Sequence, residues 1–206
     1  MVEGLRYVWS TPGLRNVFFA TSIINFFLAP VIMLLPFFVE DTLGLRAEWY
    51  GSLMIALSLG VITGYGISGV VKVANDVRDK VLFAALIVLS VSFGALGYAS
   101  SIYFAWGAIF LAGTSSGFVS VNFLTILQTQ TEGHLRGRVF GYLTTLTGGL
   151  APFASGISGV VADLTGKNIP MIYLACGVCT LLSCCVFILN REFRAFLRFR
   201  LEPAEA

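Results

Sequence analysis

Charge placement constrains this chain more than any other feature. Six windows, 17–39, 51–71, 81–98, 102–127, 139–161 and 171–189, contain no Lys, Arg, Asp or Glu, and all 24 such residues fall outside them. A membrane span needs about 20 apolar residues to cross the hydrocarbon core. Charged residues make up 12% of the chain, where a soluble domain carries about a quarter. The chain therefore reads as all-α: an integral membrane six-helix bundle over 17–189, flanked by segments 1–16 and 190–206. The N-terminal stretch is not expected to act as a secretory signal, because its apolar run is too long and no small-residue cleavage site follows.

The cations set the expected orientation. Segments 1–16, 72–80, 128–138 and 190–206 hold two, three, two and four Lys/Arg, eleven of the thirteen, leaving only Arg46 and Lys167 for the other side. By the positive-inside rule both termini are cytoplasmic. Segment 1–16 then lies on the inner surface, with Leu5, Val8 and Trp9 at helical spacing beside Glu3 and Arg6. The tail reads as a basic amphipathic helix, with Arg191, Arg194 and Arg198 on one side and Phe193, Phe196 and Leu197 on another.

One apolar stretch occurs twice. Gly-Ile-Ser-Gly-Val-Val closes both 50–71 and 140–161, and Gly51/Gly141 and Leu53/Leu143 also match, eight identities in twenty-two positions at an offset of ninety. Under the predicted topology the two copies cross in opposite directions. That makes the bundle a 3+3 inverted repeat, an arrangement typical of transporters.

The spans differ in polarity. The first carries Thr21 and Asn25 four apart, and Pro30 and Pro36 each remove a backbone donor, so a kink is expected. In the fourth, Ser115, Phe118, Asn122 and Thr125 form one stripe beside a small-residue face of Gly113, Ser116, Gly117 and Ser120. Thr21, Asn25, Ser115, Asn122 and Thr125 are the candidate cavity lining, since polar groups at mid-span are costly unless they face a cavity or a partner. Gly60 and Gly64 are a small-xxx-small pair, and Gly148, Gly149, Pro152 and Gly156 mark the fifth span. These six are the candidate packing and interface residues. The third and sixth spans are polar-poor, which suits lipid-facing supports.

Other chemistries fail on these residues. Gly-x-Ser-Gly suggests an intramembrane serine nucleophile, but the single histidine, His134, lies in a loop, away from Ser68 and Ser158. Cys176 and Cys179 have the spacing of a redox or zinc pair but lack nearby His or acid, so the four cysteines read as small hydrophobes. No cofactor, metal or nucleic-acid partner is expected, and the chain is not read as an enzyme.

Several motifs carry a resemblance. They are Glu-Gly-Leu-Arg-Tyr-Val at 3–8, Thr-Pro-Gly-Leu-Arg at 11–15, Pro-Phe-Phe-Val-Glu-Asp-Thr-Leu-Gly at 36–44, Leu-Arg-Gly-Arg-Val-Phe-Gly at 135–141, Gly-Gly-Leu-Ala-Pro at 148–152 and Ala-Asp at 162–163. Together they resemble the C-terminal half, spans seven to twelve, of a bacterial major facilitator superfamily permease, nearest the enterobactin-exporter and macrolide-efflux group. The resemblance implies a secondary active efflux permease of the bacterial inner membrane for drug-like or siderophore-like small molecules. Its first and fourth spans would line the cavity, and its second and fifth would face the other half. Arg136 and Arg138 correspond to the family's cytoplasmic Arg-Gly-Arg, which braces the inner gate. Loop 72–80 departs from the family's Asp-Arg-x-Gly-Arg pattern. One bundle cannot rock against itself, so the expected partners, besides substrate and bilayer, are a complementary six-helix half or a second copy. The chain by itself is expected to be an inactive half or fragment. The alternative is a non-transporting membrane protein that assembles through its Gly-rich faces.

A reporter active only in the cytoplasm, fused to either end, should be active in both fusions. A silent tag at one end contradicts the predicted topology.

Overall fold

The computed structural model describes residues 7–71, 73–74 and 77–198. Expectations resting on Glu3, Leu5, Arg6, Lys72, Asp76 and residues 202–206 lie outside that set. The described chain is all-helical. Six helices are long and apolar enough to cross a membrane: α1 (Pro12–Met33), α2 (Glu48–Val70), α3 (Arg78–Leu96), α4 (Ile102–Gln130), α5 (Arg136–Leu164) and α6 (Ile169–Leu189). A short α7 (Arg191–Leu197) follows.

Local chemistry sets the helix ends. The Ser101 hydroxyl accepts from the Phe104 N–H at 3.3 Å, and Asn168 and Asn190 cap α6 and α7 in the same way. Thr11 stands at the N-cap of α1 before Pro12, but its side chain makes no capping bond. Within the spans, hydroxyls such as those of Ser90, Thr114 and Thr180 donate to carbonyls four residues back, which satisfies them without water.

The expected kink is sharply localised. Pro30 sits inside uninterrupted α1, and the break comes at Leu34, followed by a turn at Leu35–Phe37 and a π-helical turn at Phe38–Thr42. Pro36 has no N–H to offer the Ile32 carbonyl, so the ladder cannot pass through it. Beside the break, the fully buried Tyr173 of α6 donates its hydroxyl to the Val31 carbonyl at 3.0 Å and packs on Phe38. By contrast Gly148, Gly149 and Pro152 leave α5 continuous.

The pairing of helices follows a pseudo-twofold. α2 lies along α4 as α5 lies along α1, α3 meets α4 as α6 meets α1, and α3 meets α6. The two repeat copies share surroundings in detail. Ser68 accepts from Asn122 of α4 at 2.9 Å, while Ser158, ninety residues on, lies 3.6 Å from the Met33 sulfur of α1.

The α2–α4 contact is the closest. It keeps one register, from Trp106 Nε1 donating to the Ser52 carbonyl at 3.0 Å to Asn122 on Ser68. Between them the backbones touch. A Cβ on Gly60 would meet the Phe110 carbonyl oxygen, and one on Gly64 the Thr114 carbonyl oxygen. Gly113 and Gly117 are equally closed by Leu57 and Val61. Gly60 and Gly64 are therefore packing residues within the bundle and are not open to another chain, a correction to the expected interface. Small residues, here glycines, let helix backbones approach closely where lipid supplies no hydrophobic driving force.

The third span also differs from the expected lipid-facing support. α3 exposes Ile87, Val88 and Val91 but buries Leu82, Phe83, Leu86, Leu89, Phe93 and Leu96. Gly177 of α6 closes on the Gly94 backbone, so α3 and α6 form the spine. α2 and α5 are the least buried spans.

Gly64→Leu should cost about 3 kcal/mol, the top of the overpacking range, because backbone must move. Gly156→Leu, with nothing within 4 Å of its Cβ position, should leave stability within about 0.5 kcal/mol. Denaturant titration in detergent distinguishes the two, and equal midpoints would contradict the assignment of the α2–α4 seam.

Candidate functional site

Two features stand out: a cavity between the first and fourth helices, and a charged anchor at the basic end of the bundle. The cavity holds about 380 Å³. α1 supplies Thr21, Ile24 and Asn25, α4 supplies Ser120 and Leu124 among others, and Tyr65 of α2 and Leu143 of α5 flank it. The Asn25 amide donates to the Thr21 carbonyl at 2.9 Å, and the Thr21 hydroxyl is buried with no hydrogen-bond partner among the described residues.

The structure brings Thr21 and Asn25 to this cavity and leaves Ser115, Asn122 and Thr125 out of its wall. Ser115 is buried within the bundle. Asn122 donates to Ser68 and to the Phe118 carbonyl, and Thr125 to the Val121 carbonyl at 2.8 Å. The stripe is real, but near Asn122 it turns to α2. Ser120 and Leu124 lie two residues from Asn122, about 200° around the helix, and face the cavity instead. Sequence reasoning did not single out Tyr65, and Ser120 counted only as part of a small-residue face. A polar aromatic between two glycines, Gly64-Tyr65-Gly66, was the available signal.

Arg136 and Arg138 stand exposed at the start of α5. The Arg136 guanidinium donates from Nε to the Thr131 carbonyl at 3.0 Å, bracing the α4–α5 loop, in which His134 lies 3.5 Å from Glu132. The Tyr7 hydroxyl reaches the Gln130 carbonyl from the other side.

The anchor was not anticipated. Asp79, in the first turn of α3, is fully buried, with Arg194 Nε 3.0 Å from Oδ2 and Arg198 Nε 2.9 Å from Oδ1. Two of the tail arginines thus turn inward, where a surface helix would have turned them to headgroups. Phe193 drives this docking. It is fully buried among Phe83, Phe123 and Phe187, with ring centroids 5.3–6.4 Å away. Phe196 covers Gly13, where a Cβ would collide with its ring. α7 therefore ties the basic ends of α1, α3, α4 and α6 together. The signal was present in sequence as a carboxylate just ahead of the third window and arginines four apart in the tail.

A family description, transmembrane secretion effector, matches residues 1–205. The chain is 24% identical over 190 residues to the multidrug efflux pump Tap of Mycolicibacterium fortuitum, an alignment covering 91% of this chain and 46% of that protein. With the multidrug efflux pump Tap of Mycobacterium tuberculosis it is 22% identical over 183 residues, covering 87% and 43%. The chain spans about half the length of the curated relatives it matches.

Replacing Arg194 and Arg198 together by Gln should destabilise the bundle by about 3 kcal/mol, the low end for a stranded buried charge because both guanidiniums are over a third exposed. Adding Asp79→Asn should restore more than half of that loss. Thermal melting of the purified variants gives the comparison, and unchanged stability in the double variant would mean that the anchor has no energetic consequence.

Proposed function

Because this chain belongs to the transmembrane secretion effector family of major facilitators, we propose that it forms spans seven to twelve, the C-terminal half, of a secondary active efflux permease in a bacterial inner membrane. The observation that carries this reading is the cavity itself. It lies between the two helices related by the internal pseudo-twofold and is lined by Thr21 and Asn25, with walls otherwise largely apolar. Such a space suits a drug-like amphipathic molecule that needs one or two hydrogen bonds and much apolar contact. The similarity to proteins named multidrug efflux pumps supports that substrate class. A siderophore-like cargo is the narrower expectation from the enterobactin-exporter resemblance.

In this reading the bundle rocks against a complementary six-helix half, or a second copy, with the cavity opening alternately to each side. The surface for that partner is the open face of α5 marked by the exposed Gly148, Pro152 and Gly156, joined by the outward side of α2, while Gly149 turns toward α1. The basic end faces the cytoplasm, with both termini there, and Arg136 and Arg138 stand at the inner gate.

The test is export of a fluorescent lipophilic dye from proteoliposomes. The chain with a complementary six-helix half in trans should export dye, and the chain alone should not. Thr21→Val with Asn25→Leu should lower the rate about tenfold, equivalent to roughly 1.4 kcal/mol of lost interaction. Flux through the chain alone overturns the half-transporter reading, whereas undiminished flux in the double variant overturns the cavity assignment.

A further inference from the structure

α5 faces two spaces. It turns Leu143 to the cavity above, and Tyr142, Gly149 and Phe153 to a second crevice against α1, also about 380 Å³. The walls of this second crevice are almost entirely apolar and rich in aromatics, with Trp9 and Phe19 facing each other edge-on at 6.0 Å. Among the described residues Arg15 is the one cation lining it. Among the described residues no carboxylate pairs with Arg15.

The dimensions select an occupant. Tyr142 and Phe153 are eleven residues apart, about 16 Å at roughly 1.5 Å per residue. That is about half of a hydrocarbon core of roughly 30 Å, the depth of one leaflet. Arg15 lies three residues inside the start of α1 at the same end, the level of the headgroups. An arginine can lay its stem along the apolar wall while its head stays in the interface. Basic pockets between membrane helices at this level attract anionic headgroups. We infer that the α1–α5 crevice holds one acyl chain of an anionic phospholipid, with the lipid phosphate paired to Arg15. The site does not depend on the transport reading, since it needs only the bundle and its bilayer.

Trp9 is a built-in probe, because Trp49 and Trp106 sit near the starts of α2 and α4, at the opposite end. In a Trp49→Phe, Trp106→Phe background, brominated phosphatidylglycerol diluted into phosphatidylcholine bilayers should quench Trp9 at about fivefold lower mole fraction than brominated phosphatidylcholine, the preference expected of one cation near the surface. Arg15→Gln should remove that preference, and Arg191→Gln, an exposed arginine at the same end, should keep it. Gly149→Phe, which fills the crevice, should weaken quenching by both lipids. Native mass spectrometry of the unaltered chain should show retained phosphatidylglycerol that Arg15→Gln loses and Arg191→Gln keeps. Equal quenching by the two lipids overturns the inference, as does equal loss in the Arg191 variant. Absence of quenching by either lipid also overturns it, because protein then closes the crevice.

Discussion

Inside a bilayer a backbone carbonyl has no water to bond, and the whole structure follows from that. Each span must close its own hydrogen bonds, so the six charge-free windows become helices. Where the ladder fails, at Pro36, the consequence is local. The helix turns at Leu34, passes through a π-helical turn, and the buried Tyr173 hydroxyl takes up the neighbouring Val31 carbonyl. The one sharp irregularity in the first span is thus held by a side chain from the sixth. Pro30 and Pro152 lack such a break, which shows that the surroundings of a proline decide its effect as much as its missing donor.

Helix association needs another source of energy, because lipid tails are as apolar as leucine. Here it comes from close backbone approach and from a few polar contacts. The glycine seam of Gly60, Gly64, Gly113 and Gly117 is bracketed by two polar bonds, Trp106 to Ser52 and Asn122 to Ser68. The packing sets the separation, and the polar bonds fix the register. Asn122 therefore serves to hold α2 and α4 together, while Asn25, its counterpart in the first span by composition, meets open space. A second seam, Gly177 against Gly94, joins α6 to α3. The spine so formed leaves α2 and α5 each lying mainly along one neighbour, with most of their surface uncovered.

At the basic end electrostatics replaces packing. A carboxylate with no solvent exposure is tolerable only when paired, and Asp79 is paired twice. The pairing depends on Phe193, whose burial among three other aromatic rings brings α7 back onto the bundle. Hydrophobic docking and ion pairing each make the other possible. The family pattern expected in loop 72–80 is absent. Asp79 nonetheless couples the same end of the bundle to the tail.

Span number, helical class and membership of the major facilitator fold were legible in the sequence, because they depend on the length and charge of local windows. The inverted repeat was legible for the same reason: eight matching positions survive in one dimension. The direction a residue faces was not. Gly64 and Gly156 look alike in sequence, each a small residue in a repeat copy, yet one is closed by the Thr114 carbonyl and the other is open. Asn25 and Asn122 likewise differ only in which neighbour lies across from them. A helix period shows which residues share a face, but the choice of partner for that face comes from contacts between spans tens of residues apart. The sequence by itself determined the helices, their amphipathic stripes and the family. Only the tertiary structure decided which stripe became a seam, which lined a cavity, and that Asp79 would bind the tail, because each required packing between segments that no local pattern encodes.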